Sequence, residues 1–189
     1  MAVKLNVLGL LVMAAMAAYA AAAVTLLCRR RPAGMTLFVS GFALALAAFV
    51  LRWVEAVHLP MQSLFEVFLT LGMLACPIAV FSRRFLGVGG EAGDAAVGFL
   101  VLFPAAFLFR AEPQQLPPAL QSWIFAPHVA AYMLAYMILA KAGVQAVMQM
   151  FRETAVSGEG LASCETATYR LVRLGFPVLS LGLVLGAVW

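Results

Sequence analysis

The chain has 189 residues, 65% of them hydrophobic and 11% charged, with a formal net charge of +4. A soluble domain is about half apolar and about a quarter charged, so a separate soluble domain is excluded, and one integral membrane domain over residues 1–189 remains. The basic residues sit in short clusters between apolar runs, as topology signals do, which argues against a nucleic-acid partner.

Six apolar segments predict an all-α, polytopic membrane helix bundle, because long unbroken apolar runs fit helices rather than barrel strands. The first, 6–28, reads NVLGLLVMAAMAAYAAAAVTLLC. It is longer than the apolar core of a signal peptide. Arg29, Arg30 and Arg31 follow it rather than precede it, which suits a retained helix ending in the cytoplasm. The second covers 35–54, and the alanines of these two segments allow close helix contact. Next comes the loop RWVEAVHLPMQS, with His58 ahead of Pro60. The third covers 63–82. Ser63 with Glu66 three residues on matches a capping box, and Glu66 is shallow enough to reach interfacial water. The fourth, 94–109, is short and holds Pro104, so it is expected to be tilted, kinked or only partly spanning.

The loop RAEPQQLPPALQS is stiffened by Pro113, Pro117 and Pro118. The fifth segment, 124–146, opens with Pro127, whose missing N–H suits a first helical turn. His128, Tyr132 and Tyr136 follow at i, i+4 and i+8, on one face. The loop FRETAVSGEGLASCETATYRLVR leads to the sixth segment, 174–189, where Gly182 and Gly186 have a small-xxx-small spacing.

An N-terminus outside puts nine Lys and Arg residues on the cytoplasmic side and three outside, the preferred orientation. Both histidines then lie at the outer face. Cys28 at a helix end, Cys76 inside an apolar run and Cys164 in a polar loop form no CxxC pair, so they read as isolated thiols. No phosphate loop, serine triad or metalloprotease motif occurs. Buried charge looks scarce, which is compatible with a scaffold and weighs against an ion transporter.

His128 with its two tyrosines admits two readings, a ligand for a metal or haem iron above a tyrosine-lined pocket, or part of an interfacial His and Tyr belt. His58 is either a loop imidazole bonded to backbone or a partner of His128 clamping one haem. Trp53, Trp123 and Trp189 suit aromatic anchoring at the outer interface.

Four stretches carry a resemblance: WVEAVHLPMQSLFEVFLTLG, LPPALQSWIFAPHVAAYMLAY, YRLVRLGFPVLSLGLVLGAVW, and the N-terminal helix with its basic loop. Over nearly the whole chain they resemble the N-terminal part of the CcsA (ResC) cytochrome c assembly proteins, the haem-handling component of the system II cytochrome c synthetase. The resemblance implies cytochrome c biogenesis, with haem b held transiently as substrate at the outer face and joined by thioether bonds to the CxxCH cysteines of apocytochrome c. It implies His128 as a haem axial ligand, with His58, Tyr132, Trp123 and Trp189 as further candidate haem-binding residues and no metal besides haem iron. No residue of the chain is implied as catalytic, because the reactive chemistry belongs to haem and thiol. A CcsB/ResB-like partner and the bacterial inner membrane are implied as well.

The family's tryptophan-rich segment and second outer histidine would come after Trp189. The expectation is therefore a part of the synthetase that is not active alone: a fragment, one half of a split pair, or a diverged homologue. A non-catalytic scaffold or permease and a small bis-histidine b-type membrane cytochrome are the alternatives.

Overall fold

The computed structural model describes residues 6–56, 58–109, 122–151 and 162–188. Among them are six helices: α1 (Val7–Leu27), α2 (Arg31–Ala56), α3 (Leu64–Leu86), α4 (Glu91–Phe107), α5 (Phe125–Phe151) and α6 (Cys164–Val188). All but α4 are long and apolar enough to cross a membrane. With 17 residues, α4 reaches about 25 Å, short of a hydrocarbon core of about 30 Å. The all-α polytopic membrane bundle expected from hydropathy is the architecture observed. Pro113, Pro117, Pro118 and Trp189 lie outside the described residues.

Helix ends follow local chemistry. Asn6 caps α1 by accepting the Gly9 N–H at 2.9 Å. The capping box of α3 forms as read: Glu66 N–H donates to Ser63 Oγ at 3.3 Å, and Ser63 N–H to Glu66 Oε2 at 3.1 Å. Gly87 ends this helix with φ 63°, a left-handed conformation that costs a glycine little. Two starts differ from expectation. Helix α6 begins at Cys164 rather than 174, so Cys164 sits in a helical turn and not in a loop. Its first turns are polar outside but bury Ala167 and Leu171, and Ser163 Oγ accepts the Thr166 N–H at 3.3 Å. An apolar run cannot register such one-sided turns. In the same way α2 starts at Arg31, a polar turn ahead of its apolar stretch.

Tyr19 organises the first four helices. Its hydroxyl donates to the Gly72 carbonyl of α3 at 3.0 Å. Its ring occupies the space that a Cβ on Gly41 of α2 or Gly98 of α4 would need, at 2.5 and 2.8 Å. Ala15, Ala22, Ala45 and Ala48 are fully buried, so the alanine-rich α1 and α2 pack closely as expected. Helices α5 and α6 form a second antiparallel unit that leans on α3 and α4. Arg170 of α6 donates to the Leu86 carbonyl at 2.6 Å, and Ala162 N–H to that of Gly87 at 2.9 Å.

Consecutive helices run in opposite directions, which gives the bundle two chemically distinct ends. One, the histidine end, gathers Ala56, His58, Leu64, Phe125 and Val188. The other, the arginine end, gathers the turn at Arg29 and Arg30, Arg31, Arg83 and Glu91.

Charge is buried at both ends, contrary to the scarcity inferred from composition. At the histidine end Arg52 Nε donates to Glu66 Oε1 at 2.8 Å, with each side chain 1% exposed. Glu66 therefore does not reach interfacial water: a carboxylate this deep is stabilised by an arginine, not by solvent. Toward the arginine end Lys141 of α5 pairs with Asp94 of α4, and the ammonium also donates to the Gly89 carbonyl at 3.1 Å.

Candidate functional site

His128 stands where α5 enters the bundle. Pro127 falls in the first turn of the helix, and the His128 N–H donates to the Ile124 carbonyl at 3.0 Å. The side chain crosses to α6, where Nδ1 lies 2.8 Å from the Gly182 carbonyl oxygen. A carbonyl only accepts, so Nδ1 carries the proton. In a neutral imidazole that puts the ring's lone pair on Nε2.

Two glycines make room for this ring and its neighbour, Tyr132. A Cβ on Gly186 would lie 2.5 Å from His128 Cε1, and one on Gly182 would lie 3.3 Å from Tyr132 Cδ1. The spacing expected to let two helix backbones approach instead accommodates aromatic side chains. Tyr132 meets the imidazole edge-on, with centroids 4.7 Å apart and planes at 83°. Tyr136 stacks below Tyr132 at 5.6 Å. The helical register thus assembles His128, Tyr132 and Tyr136 into one column. Trp123, just before α5, is 84% exposed and presents its indole outward.

His58 belongs to a different element at the same end, the loop between α2 and α3. Its Nδ1 lies 3.1 Å from the Leu59 carbonyl, while Nε2 is buried with no hydrogen-bond partner among the described residues. The loop is held from below. Glu66 Oε2 accepts the Gln62 N–H at 2.9 Å and the Ser63 N–H at 3.1 Å, while its other oxygen takes Arg52. The Thr70 hydroxyl lies 3.1 Å from the Pro60 carbonyl oxygen. The two imidazoles therefore share an end of the bundle but have separate backbone anchors, one on a loop and one across the α5–α6 seam.

Arg52 and Lys141 are two of the twelve basic residues in the orientation count, which does not register their roles as buried ion-pair partners. A signal for Arg52 is present in the sequence: a single arginine and, 14 residues on, the glutamate of the capping box flank one helix–loop–helix turn. Lys141 and Asp94, 47 residues apart, carry no such local mark. Among the described residues, no three or more His, Cys, Asp or Glu side chains gather to hold a metal ion. The three cysteines are free thiols.

The family model described as "Cytochrome C assembly protein" matches residues 10–189. The chain is 27% identical to the cytochrome c biogenesis protein CcsA of Guillardia theta, over 73% of this chain and 56% of the relative. The CcsA of Gloeothece citriformis (strain PCC 7424) is also 27% identical, over 73% and 60%. For that of Chlamydomonas reinhardtii the identity is 27%, over 80% and 46%. The chain therefore spans about half the length of the curated relatives it matches. No solved structure matches it. With a family model covering all but its first nine residues, the chain belongs to the cytochrome c assembly protein family.

Proposed function

We propose that the chain acts in cytochrome c biogenesis, as part of a membrane haem-handling cytochrome c synthetase that presents haem at its histidine end for attachment to apocytochrome c. The setting of His128 carries this reading. A histidine that binds a metal ordinarily donates its other ring N–H to a backbone carbonyl or carboxylate, which fixes the tautomer and the ring plane. His128 has that second contact, on Gly182.

In this reading His128 Nε2 ligates haem iron. Gly186 leaves the space that keeps the imidazole at the seam, and Tyr132 braces the ring from its edge. Trp123, five residues ahead of His128 in the chain, offers an exposed flat face. Haem supplies the vinyl groups and the iron; the chain holds and orients. An open or weakly held position on the iron would let the histidine of the CxxCH motif take over as the product leaves. The N-terminus faces outward and the arginine end faces the cytoplasm of a bacterial inner membrane, in line with the positive-inside rule. The partners are a CcsB/ResB-like protein, apocytochrome c, and the region bearing the tryptophan-rich segment, whether in the same polypeptide or another.

A second reading, a small b-type cytochrome with haem clamped by His58 and His128, is favoured by one observation. His58 also has Nδ1 on a carbonyl, and its buried Nε2 lacks a hydrogen-bond partner.

Absorption spectra of the purified chain, oxidised and reduced, with and without the co-expressed partners, separate these readings. Haem retained only with the partners, and lost in His128→Ala, is the expected result. Haem retained by the chain alone and lost on substituting either histidine would support the cytochrome. Cytochrome c maturation unaffected by His128→Ala would rule out His128 as the ligand and leave a scaffold.

A further inference from the structure

A cavity of about 310 Å³ lies at the arginine end, lined by Met35, Ala79, Val80, Arg83, Arg84 and Glu91. Its wall is apolar and its rim is cationic. Met35 of α2 and Ala79 and Val80 of α3 form the wall. Val80 is 46% exposed, and the adjoining Phe81 and Phe85 are exposed too, so this flank of α3 faces the hydrocarbon. At the rim Arg83 donates to Glu91 Oε1 at 2.6 Å, and Arg31 reaches the same oxygen at 3.1 Å. One carboxylate therefore organises two guanidiniums, and exposed Arg84 adds a third. The rim carries three positive charges against one negative.

That combination selects an anionic amphiphile. A free anion would use the rim but gain nothing from the wall. A zwitterionic lipid would bring its own ammonium toward a rim already two charges positive. An acidic phospholipid satisfies both parts, because guanidinium groups match phosphate oxygens in a forked geometry and an acyl chain covers the wall. Basic pockets between helices at a membrane surface bind anionic head groups in this manner.

We propose that this cavity binds an acidic phospholipid of the adjoining leaflet, its phosphate on Arg31, Arg83 and Arg84 and one acyl chain along Met35, Ala79 and Val80. The site is independent of the haem reading, lying at the opposite end of the bundle.

Native mass spectrometry of the purified chain, offered equimolar phosphatidylglycerol and phosphatidylcholine, tests this. Preferential retention of phosphatidylglycerol is expected. Arg84→Gln should weaken it about fivefold, the effect of removing one basic side chain near an anionic lipid surface. Met35→Trp, which fills the wall and leaves every charge in place, should weaken it as well. Circular dichroism of both variants checks that the helices persist. Equal retention of the two lipids by the native chain would overturn the proposal. So would undiminished phosphatidylglycerol binding in both variants. Displacement of the lipid by millimolar inorganic phosphate, or by protoporphyrin IX, would assign the cavity to a free anion or to a porphyrin and equally overturn it.

Discussion

His128 donates its Nδ1 proton to the Gly182 carbonyl of α6 at 2.8 Å, so a ring on one helix is oriented by the backbone of the next. Helices α5 and α6 are thereby coupled at the end where the candidate haem ligand stands. The glycines of α6 act on the orientation of an imidazole, and this link makes the site sensitive to substitutions that never touch the histidine.

Gly186→Val is expected to displace the imidazole, because its Cβ would lie 2.5 Å from His128 Cε1. By helix propensity valine is slightly better than glycine, so the helix itself accepts the change. Haem retained by the co-expressed complex should fall as far as in His128→Ala while thermal stability changes little. Full haem retention in Gly186→Val would show that the ring's position against α6 is irrelevant to binding.

Arg52→Met should destabilise the bundle strongly, by about 3–5 kcal/mol, because it leaves the Glu66 carboxylate buried without its arginine. Adding Glu66→Gln should recover much of the loss. Glutamine keeps an acceptor for the Gln62 and Ser63 N–H groups and still suits a capping box. Unfolding of the two single variants and the double variant in detergent gives the cycle. Additive losses would mean that the pair is not coupled.

Lys141→Met tests the second pair. Asp94 would lose its ammonium partner, and the Gly89 carbonyl would keep only the Gln145 amide, at 2.9 Å. Faster proteolysis in detergent is expected, since this contact fastens α5 to α4. The double variant Lys141→Met/Asp94→Asn should be more resistant than the single one. Equal cleavage of native and Lys141→Met protein would show that the α4–α5 contact is held by packing alone.

Tyr19→Phe removes one buried hydrogen bond, to Gly72, and should cost about 1 kcal/mol. Gly41→Ala should cost more, about 1–3 kcal/mol, because the added methyl overlaps the Tyr19 ring. Melting temperatures of the two variants would rank them. The reverse order would indicate that the ring shifts freely and that the hydroxyl is the stronger constraint.

Hydropathy along the chain was enough to determine the six helices, their order, their membrane setting and the column of His128, Tyr132 and Tyr136. Each of these depends on a run of neighbours or on a period of 3.6 residues within one helix. The capping box at Ser63 was legible for the same reason, since both partners lie within one turn. Only the tertiary structure decided that Glu66 is sealed against Arg52, that Lys141 binds Asp94, and that Gly182 and Gly186 make room for the rings of Tyr132 and His128. These are contacts between helices, set by how each is rotated about its axis when it packs. A linear pattern records which residues share a face, and packing alone selects the side chain that meets it.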